Sequence, residues 1–442
     1  MPDFIERGDG KPHVIYPRTS AAQMRNGITV LTSGDGMRVT DDTGKEYLDF
    51  VSGWTRPVHV GYRRAEIAQA VHDQIMQLHY YTPMQYGNPR AIELAQVLAE
   101  LTPTGITQFL FVSSGSEALE SALKLARHYH YYRGERWRFK VISRRGAFHG
   151  VTGGALRVLG SVLPVRHLSE PLAPGGVFAE SPYCYRCPLH LSYPACDLAC
   201  ARDVERLIQF EDPAQIGVFV GETIQQGFGA VAPPPEYWPI IRQLCDRYGI
   251  LLVVDEVICG FGRTGKWFGV EHFDLAPDML LMAKGISSGY MPMGALGATE
   301  AVMAPVDNFA NLQTYMNHPV ACAAALANIE ILKRERLIDN ARVMGDYFLD
   351  GLKLLTCYEA VGEVRGIGLW AVLDLTTDRS TRALFPADRL ERMVQRAKEK
   401  GLIIKFMHCA LEFAPSLVVT RGDIDLALRI IDECLAEDAR AH

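Results

Sequence analysis

The sequence predicts an α/β fold built on a mostly parallel, doubly wound sheet flanked by helices. Three observations predict it. Strand and helix patterns alternate from about residue 90 to 300, the order that lays strands side by side with helices over both faces. Short, wholly apolar runs at 250–254 and 279–283 lack polar alternation, as strands covered on both faces do. Polar residues suited to chemistry stand at the ends of such runs, and open α/β sheets bind ligands outside those carboxyl ends.

Taken in order, the first fifty or so residues carry short strands and turns, such as Thr40-Asp41-Asp42-Thr43-Gly44. The strand 109–112 runs into Ser113-Ser114-Gly115-Ser116, and Leu119, Ala122, Leu123 and Ala126 mark the apolar stripe of the helix that follows. The strand 140–143 leads to Phe148-His149-Gly150, and 216–220 ends at Gly221-Glu222. The runs at 250–254 and 279–283 end at Asp255 and Lys284. Beyond 320 the pattern changes to helices over 321–332 and 338–354, strands over 369–375 and 402–406, and a final helix over 423–435. The expected organisation is a large domain over 63–325 and a smaller α+β domain built from both termini, 1–62 and 326–442. No repeat or low-complexity segment is visible.

Composition excludes several classes. A net charge of −6 gives no global attraction to nucleic acid or to an anionic membrane. The basic stretch from Arg133 to Arg145 reads as a solvated or subunit-facing surface. No apolar run approaches the roughly 18 residues of a membrane span, and Met1 to Arg7 lacks the apolar core of an export signal. Ten cysteines in a chain of 442 residues are not a disulfide scaffold, so reduced thiols in a cytoplasm are expected.

Lys284 and Asp255 carry the strongest chemical signal. At the ends of two buried parallel strands they meet in one crevice. A lysine there can form a Schiff base and an aspartate can pair with a pyridinium nitrogen, the two protein groups that pyridoxal phosphate requires. Ser114-Gly115-Ser116 opens a helix, where small residues and free amides suit a phosphate; a serine that merely caps the helix is the competing reading. Phe148-His149-Gly150 could set a ring over a planar cofactor, although a phenylalanine after a strand is more often core. Gly260-Phe261-Gly262-Arg263-Thr264-Gly265 matches a dinucleotide fingerprint literally and is nearly a P-loop. Both are rejected: Trp267 stands where a P-loop needs Ser or Thr, and no amphipathic helix starts there. Cys184, Cys187, Cys196 and Cys200 are spaced C-x2-C-x8-C-x3-C. Zinc is one reading, but the spacing is atypical, and free thiols packing a loop, with no metal, are expected.

The stretch from Asp255-Glu256-Val257 through Gly260 to Gly265, followed by Ala276-Pro277-Asp278 and Ala283-Lys284-Gly285, resembles the signature of the class III pyridoxal-phosphate aminotransferases, the ω-aminotransferases of fold type I. The likeness runs from Tyr47-Leu48-Asp49 to near the C-terminus. It implies that Lys284 is the Schiff-base lysine, that Asp255 partners the ring nitrogen, and that Ser114, Gly115 and Ser116 hold the phosphate. It also implies that Phe148, beside His149, stacks on one ring face, Val257 on the other, and that Glu222 sits on the phenolic oxygen side. Thr314 resembles a threonine that reaches the phosphate of the neighbouring subunit, which implies a homodimer with shared active sites. Three departures stand out. Met316-Asn317 replaces the usual Ser-Gly before His318-Pro319. Ser52-Gly53-Trp54 is one residue short of the family's Ser-Gly-x-Trp, with Trp54 expected at the substrate pocket. Lys405 occupies the slot of a mobile, carboxylate-binding arginine.

The expected function is a ω-aminotransferase moving the amino group of a non-α or terminal amine to an α-keto acid, by resemblance pyruvate. Racemases, decarboxylases and lyases share the scaffold and remain alternatives; a nicotinamide-dependent dehydrogenase is a remote one. Lys405 is expected to hold the keto-acid carboxylate. A surface lysine at a strand end is the equal alternative, in which case Arg421 or Arg56 takes that task.

Overall fold

The computed structural model describes residues 14–19, 24, 27–161 and 165–441. The Met1 to Arg7 segment read for an export signal lies outside them. Three short strands, β1 (Leu31–Asp35), β2 (Arg38–Asp41) and β3 (Glu46–Asp49), come first and pair antiparallel. The central sheet contains β4 (Ile106–Val112), β5 (Lys140–Arg144), β6 (Gly176–Ala179), β7 (Ile216–Glu222), β8 (Leu251–Asp255), β9 (Met279–Ala283) and β10 (Gly294–Thr299). Their order across the sheet is β4-β10-β9-β8-β7-β5-β6. Every residue of β7, β8 and β9 is buried, which is why these runs read as continuously apolar and not alternating.

The strands from β6 to β9 run parallel, but β10 runs antiparallel to both β9 and β4. A parallel neighbour needs a crossover of a dozen or more residues. The connection after β9 holds only a single 3₁₀ turn, Lys284–Ile286, before β10 begins at Gly294, so the chain returns antiparallel. The register sets Glu222 opposite Asp255 and Gly294 opposite both Val112 and Ala283. The ends of β4, β7, β8 and β9 therefore open onto one edge of the sheet.

The remaining strands are β11 (Val361–Ile367), β12 (Trp370–Leu375), β13 (Leu402–Ile403), β14 (Lys405–Met407) and β15 (Ala410–Phe413). The expected single strand over 402–406 is two. β13 joins β3 in parallel, tying the C-terminal part of the chain to the N-terminal sheet, whereas β14 joins the antiparallel sheet β11-β12-β15-β14. The break falls at Ile404, where the chain leaves one sheet for the other. A continuous apolar run cannot show that its two halves have different partners. Long helices Leu337–Leu354 and Arg421–Ala441 complete this part of the molecule, while Pro319–Arg334 packs mainly on the helices Ala65–Leu78 and Pro89–Leu101.

Candidate active site

The site is built from five strand ends. At the end of β8, the Asp255 carboxylate accepts a hydrogen bond from the Val257 amide at 3.0 Å and one from His149 Nδ1 at 2.7 Å. His149 is buried and its Nε2 has no hydrogen-bond partner among the protein atoms. On the adjacent strand, Glu222 accepts from the amides of Phe148 (3.2 Å) and Gln226 (3.3 Å) through Oε1, while its buried Oε2 has no such bond. Burial pushes the Glu222 carboxyl above its usual range, and His149 and Arg144 oppose that push. Phe148 itself is half-buried, so its ring edges the crevice.

Lys284 follows β9 with a left-handed backbone, φ +47°, a conformation that an L-residue adopts only where its surroundings enforce it. Its side chain opens partly to the crevice. Burial of the ammonium group, with Arg56 nearby, lowers its pKa to about 7, against the pull of Asp255. An amine neutral near pH 8 is what a base or nucleophile in such a crevice requires.

The turn after β4 supplies the third part. Ser114 has extended backbone and its hydroxyl accepts from the Glu117 amide at 3.2 Å, so it does cap the helix Gly115–Tyr132. The cap satisfies one amide, and the other first-turn amides, those of Gly115 and Ser116, have no intrahelical partner. Capping and anion binding are therefore compatible. A Cβ on Gly115 would stand 3.1 Å from Val257 and 3.5 Å from the Ala283 Cβ, which places this turn against the ends of β8 and β9. Gly150, at φ +120°, passes so close to Ser116 that a Cβ would meet its Oγ at 2.4 Å.

Lys284, Asp255, Glu222, Phe148, His149, Val257, Ser114, Gly115 and Ser116 thus converge on one crevice. It offers a low-pKa amine, a carboxylate oriented by an imidazole, a buried carboxylate oxygen without a hydrogen bond, and free helix N-terminal amides. That donor set fits pyridoxal 5′-phosphate, which needs a lysine, a ring-nitrogen partner and a phosphate cradle. The glycine-rich segment 260–265 forms turns, and only the short 3₁₀ helix Gly269–His272 follows it, so no dinucleotide-type helix start exists there.

The other candidates stand on other elements, and of these Arg56 and Lys405 act electrostatically on Lys284. Thr314 is exposed, with its carbonyl accepting from the Tyr80 hydroxyl at 2.8 Å. Trp54 is 54% exposed, and its carbonyl accepts from Lys405 Nζ at 2.8 Å. Lys405 is buried and lies 3.3 Å from Glu412. Arg56, also buried, pairs with the same carboxylate at 3.0 Å and faces the Trp370 ring. Burial and Arg56 lower the Lys405 pKa to about 8. Burial pushes Glu412 the other way, but Arg56 and Lys405 outweigh it and hold the carboxyl low. Sequence reasoning named Arg56 only as a fallback and missed Glu412. The signal was present: a glutamate inside Ala-Leu-Glu-Phe, a strand with no exposed position. Arg421 is exposed and stacks on Tyr347. The four cysteines of the 184–200 loop are free and line one small cavity. Among the described residues, no group of three or more His, Cys, Asp or Glu side chains is arranged to hold a metal ion.

Residues 19–435 match the aminotransferase class-III family. The chain is 37% identical over 424 residues to the taurine–pyruvate aminotransferase of Bilophila wadsworthia, covering 91% of each chain. A solved (S)-enantioselective ω-transaminase from Thermomicrobium roseum superposes with a TM-score of 0.92 at 36% identity over 96% of each chain. An amine transaminase from an uncultivated Pseudomonas species, solved with PLP bound, gives 0.92 at 34% identity, over 97% of this chain and 99% of the other. A match spanning every strand end of the crevice, with a site that fits the cofactor, shows that the chain belongs to the class III aminotransferases and is a pyridoxal 5′-phosphate-dependent ω-transaminase.

Proposed function

We propose that the enzyme takes the amino group of a non-α or terminal amine and delivers it to pyruvate, with Lys284 as the lysine that holds the cofactor and moves the proton. The observation that carries this reading is the meeting of Lys284, the Asp255–His149 pair and the Gly115–Ser116 amides at one sheet edge. The cofactor, when bound, supplies the electron sink for the carbon that bears the nitrogen. Asp255, oriented by His149 and Val257, keeps the ring nitrogen protonated. Gly115 and Ser116 amides hold the phosphate, and Ser114 fixes that turn. Phe148 and Val257 would cover the two ring faces, and Glu222 would stand on the phenolic oxygen side. Lys284 Nζ, with its lowered pKa, would be the group that takes and returns the proton at the carbon bearing the amine.

Pyruvate as acceptor is supported by relatives such as the taurine–pyruvate enzyme. Trp54 and Lys405 line the substrate end. Arg56 and Lys405 together exceed the charge of Glu412 by one, which suits a single acceptor carboxylate. Thr314 belongs to the partner subunit's phosphate site in a homodimer. The exposed apolar patch of Tyr81, Met84, Tyr86, Leu312 and Tyr315 around Thr314 supports that assembly. The division into a 63–325 domain and a lobe from 1–62 and 326–442 belongs to the same reading, supported by the pairing of β13 with β3. Described residues contain no helix long and apolar enough to cross a membrane, and the free thiols support a reducing cytoplasm. The test is direct. Borohydride reduction followed by peptide mapping should place the cofactor on Lys284, and Lys284→Ala should abolish amine-dependent formation of alanine from pyruvate. Label on another lysine would refute the assignment.

A further inference from the structure

Arg144 closes β5, is fully buried, and none of the roles above uses it. A buried guanidinium persists where charge or hydrogen bonds compensate it. Arg263 shows one solution: equally buried, it donates to the carbonyls of Leu369 and Pro415 and to Ser52, and so ties three segments together. Arg144 is different. Nη2 donates to the backbone carbonyl of Glu222, while Nε and Nη1 make no geometrically good hydrogen bond among the described residues, the Tyr237 hydroxyl being the polar group beside them. Its ion-pair partner among the described residues is the Glu222 carboxylate, at 3.7 Å. The rings of Trp238 and Tyr237 lie 5.1 and 5.7 Å from its guanidinium carbon and hold it against that carboxylate.

Glu222 needs such a partner. It is 3% exposed. Facing it are His149 from the turn after β5, Asp255 from β8, Cys259 beyond that strand, and Arg144. Asp255 stands opposite it in register, so two carboxylates share one buried edge. Burial and a like charge both favour a protonated Glu222. His149 and then Arg144 oppose that effect at Glu222; the His149 Nδ1 proton is directed to Asp255, and Arg144 is the cation in ion-pair reach of Glu222.

We infer that Arg144 is a positioning residue that keeps Glu222 ionised and aimed at the oxygen edge of the cofactor ring. This rests on the placement of Glu222 proposed above. An ionised Glu222 accepts a hydrogen bond from that edge and adds one negative charge beside the chromophore. A neutral Glu222 would do neither.

The test is a pH titration of the bound cofactor's absorption in the purified holoenzyme, with Glu222→Gln, Arg144→Met and Arg144→Lys. Negative charge beside the chromophore favours its protonated form. Glu222→Gln should therefore lower the titration midpoint by about one pH unit. Arg144→Met should lower it likewise, because Glu222, the nearer group, takes up a proton once its cation is gone. The double variant should match Glu222→Gln alone, and Arg144→Lys, which keeps the charge, should restore most of the wild-type midpoint. A midpoint that rises or stays unchanged in Arg144→Met overturns the inference, since Glu222 would then hold its charge unaided. An unmoved midpoint in Glu222→Gln overturns the placement of Glu222 itself, and the inference with it. If Arg144→Met does not fold, Arg144→Lys decides: a midpoint like that of Glu222→Gln overturns the inference, and a wild-type midpoint supports it.

Discussion

Lys284 is a lysine whose environment favours the neutral amine, and that has a consequence for stability. Its folded pKa, about 7, lies below the ordinary lysine value of 10.5. Between those values the unfolded chain holds a proton that the folded chain does not, so stability rises as pH rises through that window. In cofactor-free protein, the stability of wild type relative to Lys284→Met should therefore increase from pH 7 towards 10, read by denaturant unfolding at each pH. A difference that is flat or falls with pH would show the amine to be unperturbed. The buried trio of Arg56, Lys405 and Glu412 makes a second prediction. Glu412→Gln leaves two cations without their carboxylate and should cost about 3–5 kcal/mol, whereas Lys405→Met leaves Arg56 paired with Glu412 and should cost less. Equal losses in urea melts would mean that Glu412 is not the shared counter-ion. Lys405→Met should also raise the apparent Michaelis constant for pyruvate.

At the scale of elements, the cofactor crevice depends on turns more than on strands. The turn carrying Phe148 and His149 approaches the helix start through Gly150, which has left-handed backbone and no room for a methyl group. Gly150→Ala should weaken cofactor binding at least about tenfold, roughly 1.4 kcal/mol, measured by titrating cofactor-free protein with PLP. Unchanged affinity would show that the turn can relax without disturbing Ser116. The cysteine loop is a second element with a testable role. Tyr183 and Arg186 anchor it to Asp374 on β12, and burial raises the thiols of Cys184 and Cys200. Burial, neighbouring thiols and, for Cys184, Glu363 raise them, with no cation contributing among the described residues, which is the setting of packing thiols. Elemental analysis should find far less than one zinc per chain, and chelation should leave activity intact. Stoichiometric zinc lost together with activity would reverse that view.

For the whole molecule, the half-buried and exposed rings near Thr314 fit the proposed homodimer. Tyr80 and Tyr315 meet at 6.0 Å and Tyr81 and Tyr86 at 4.9 Å, a cluster that is expensive to leave in water. A two-fold dimer buries such a surface on both subunits at once. Mixing Lys284→Ala chains with Thr314→Ala chains, after dissociation and reassociation, should give activity above the sum of the two variants alone. That gain arises because one site of each mixed dimer then has an intact lysine and an intact partner threonine. No gain, or a fully active monomer by light scattering, would remove Thr314 from the site.

While the aminotransferase chemistry came from the resemblance of 255–285 to the class III signature, the chain order alone determined the α/β class and the strand ends that carry Asp255 and Lys284. Those properties are local: a buried strand shows as an apolar run, and the residue after it is placed by the same run. Tertiary structure decided the rest. The antiparallel turn of β10 follows from a connection too short to cross over. The division of 402–406 between two sheets depends on partners more than 350 residues away for β13. Lys405 and Glu412 face each other across one hairpin, but Arg56 lies 356 residues from Glu412 and Arg144 lies 78 from Glu222, so local pattern does not announce either of those pairs. Their charges become informative only when burial removes the water that would otherwise screen them, because a buried charge must find its counter-charge across the fold.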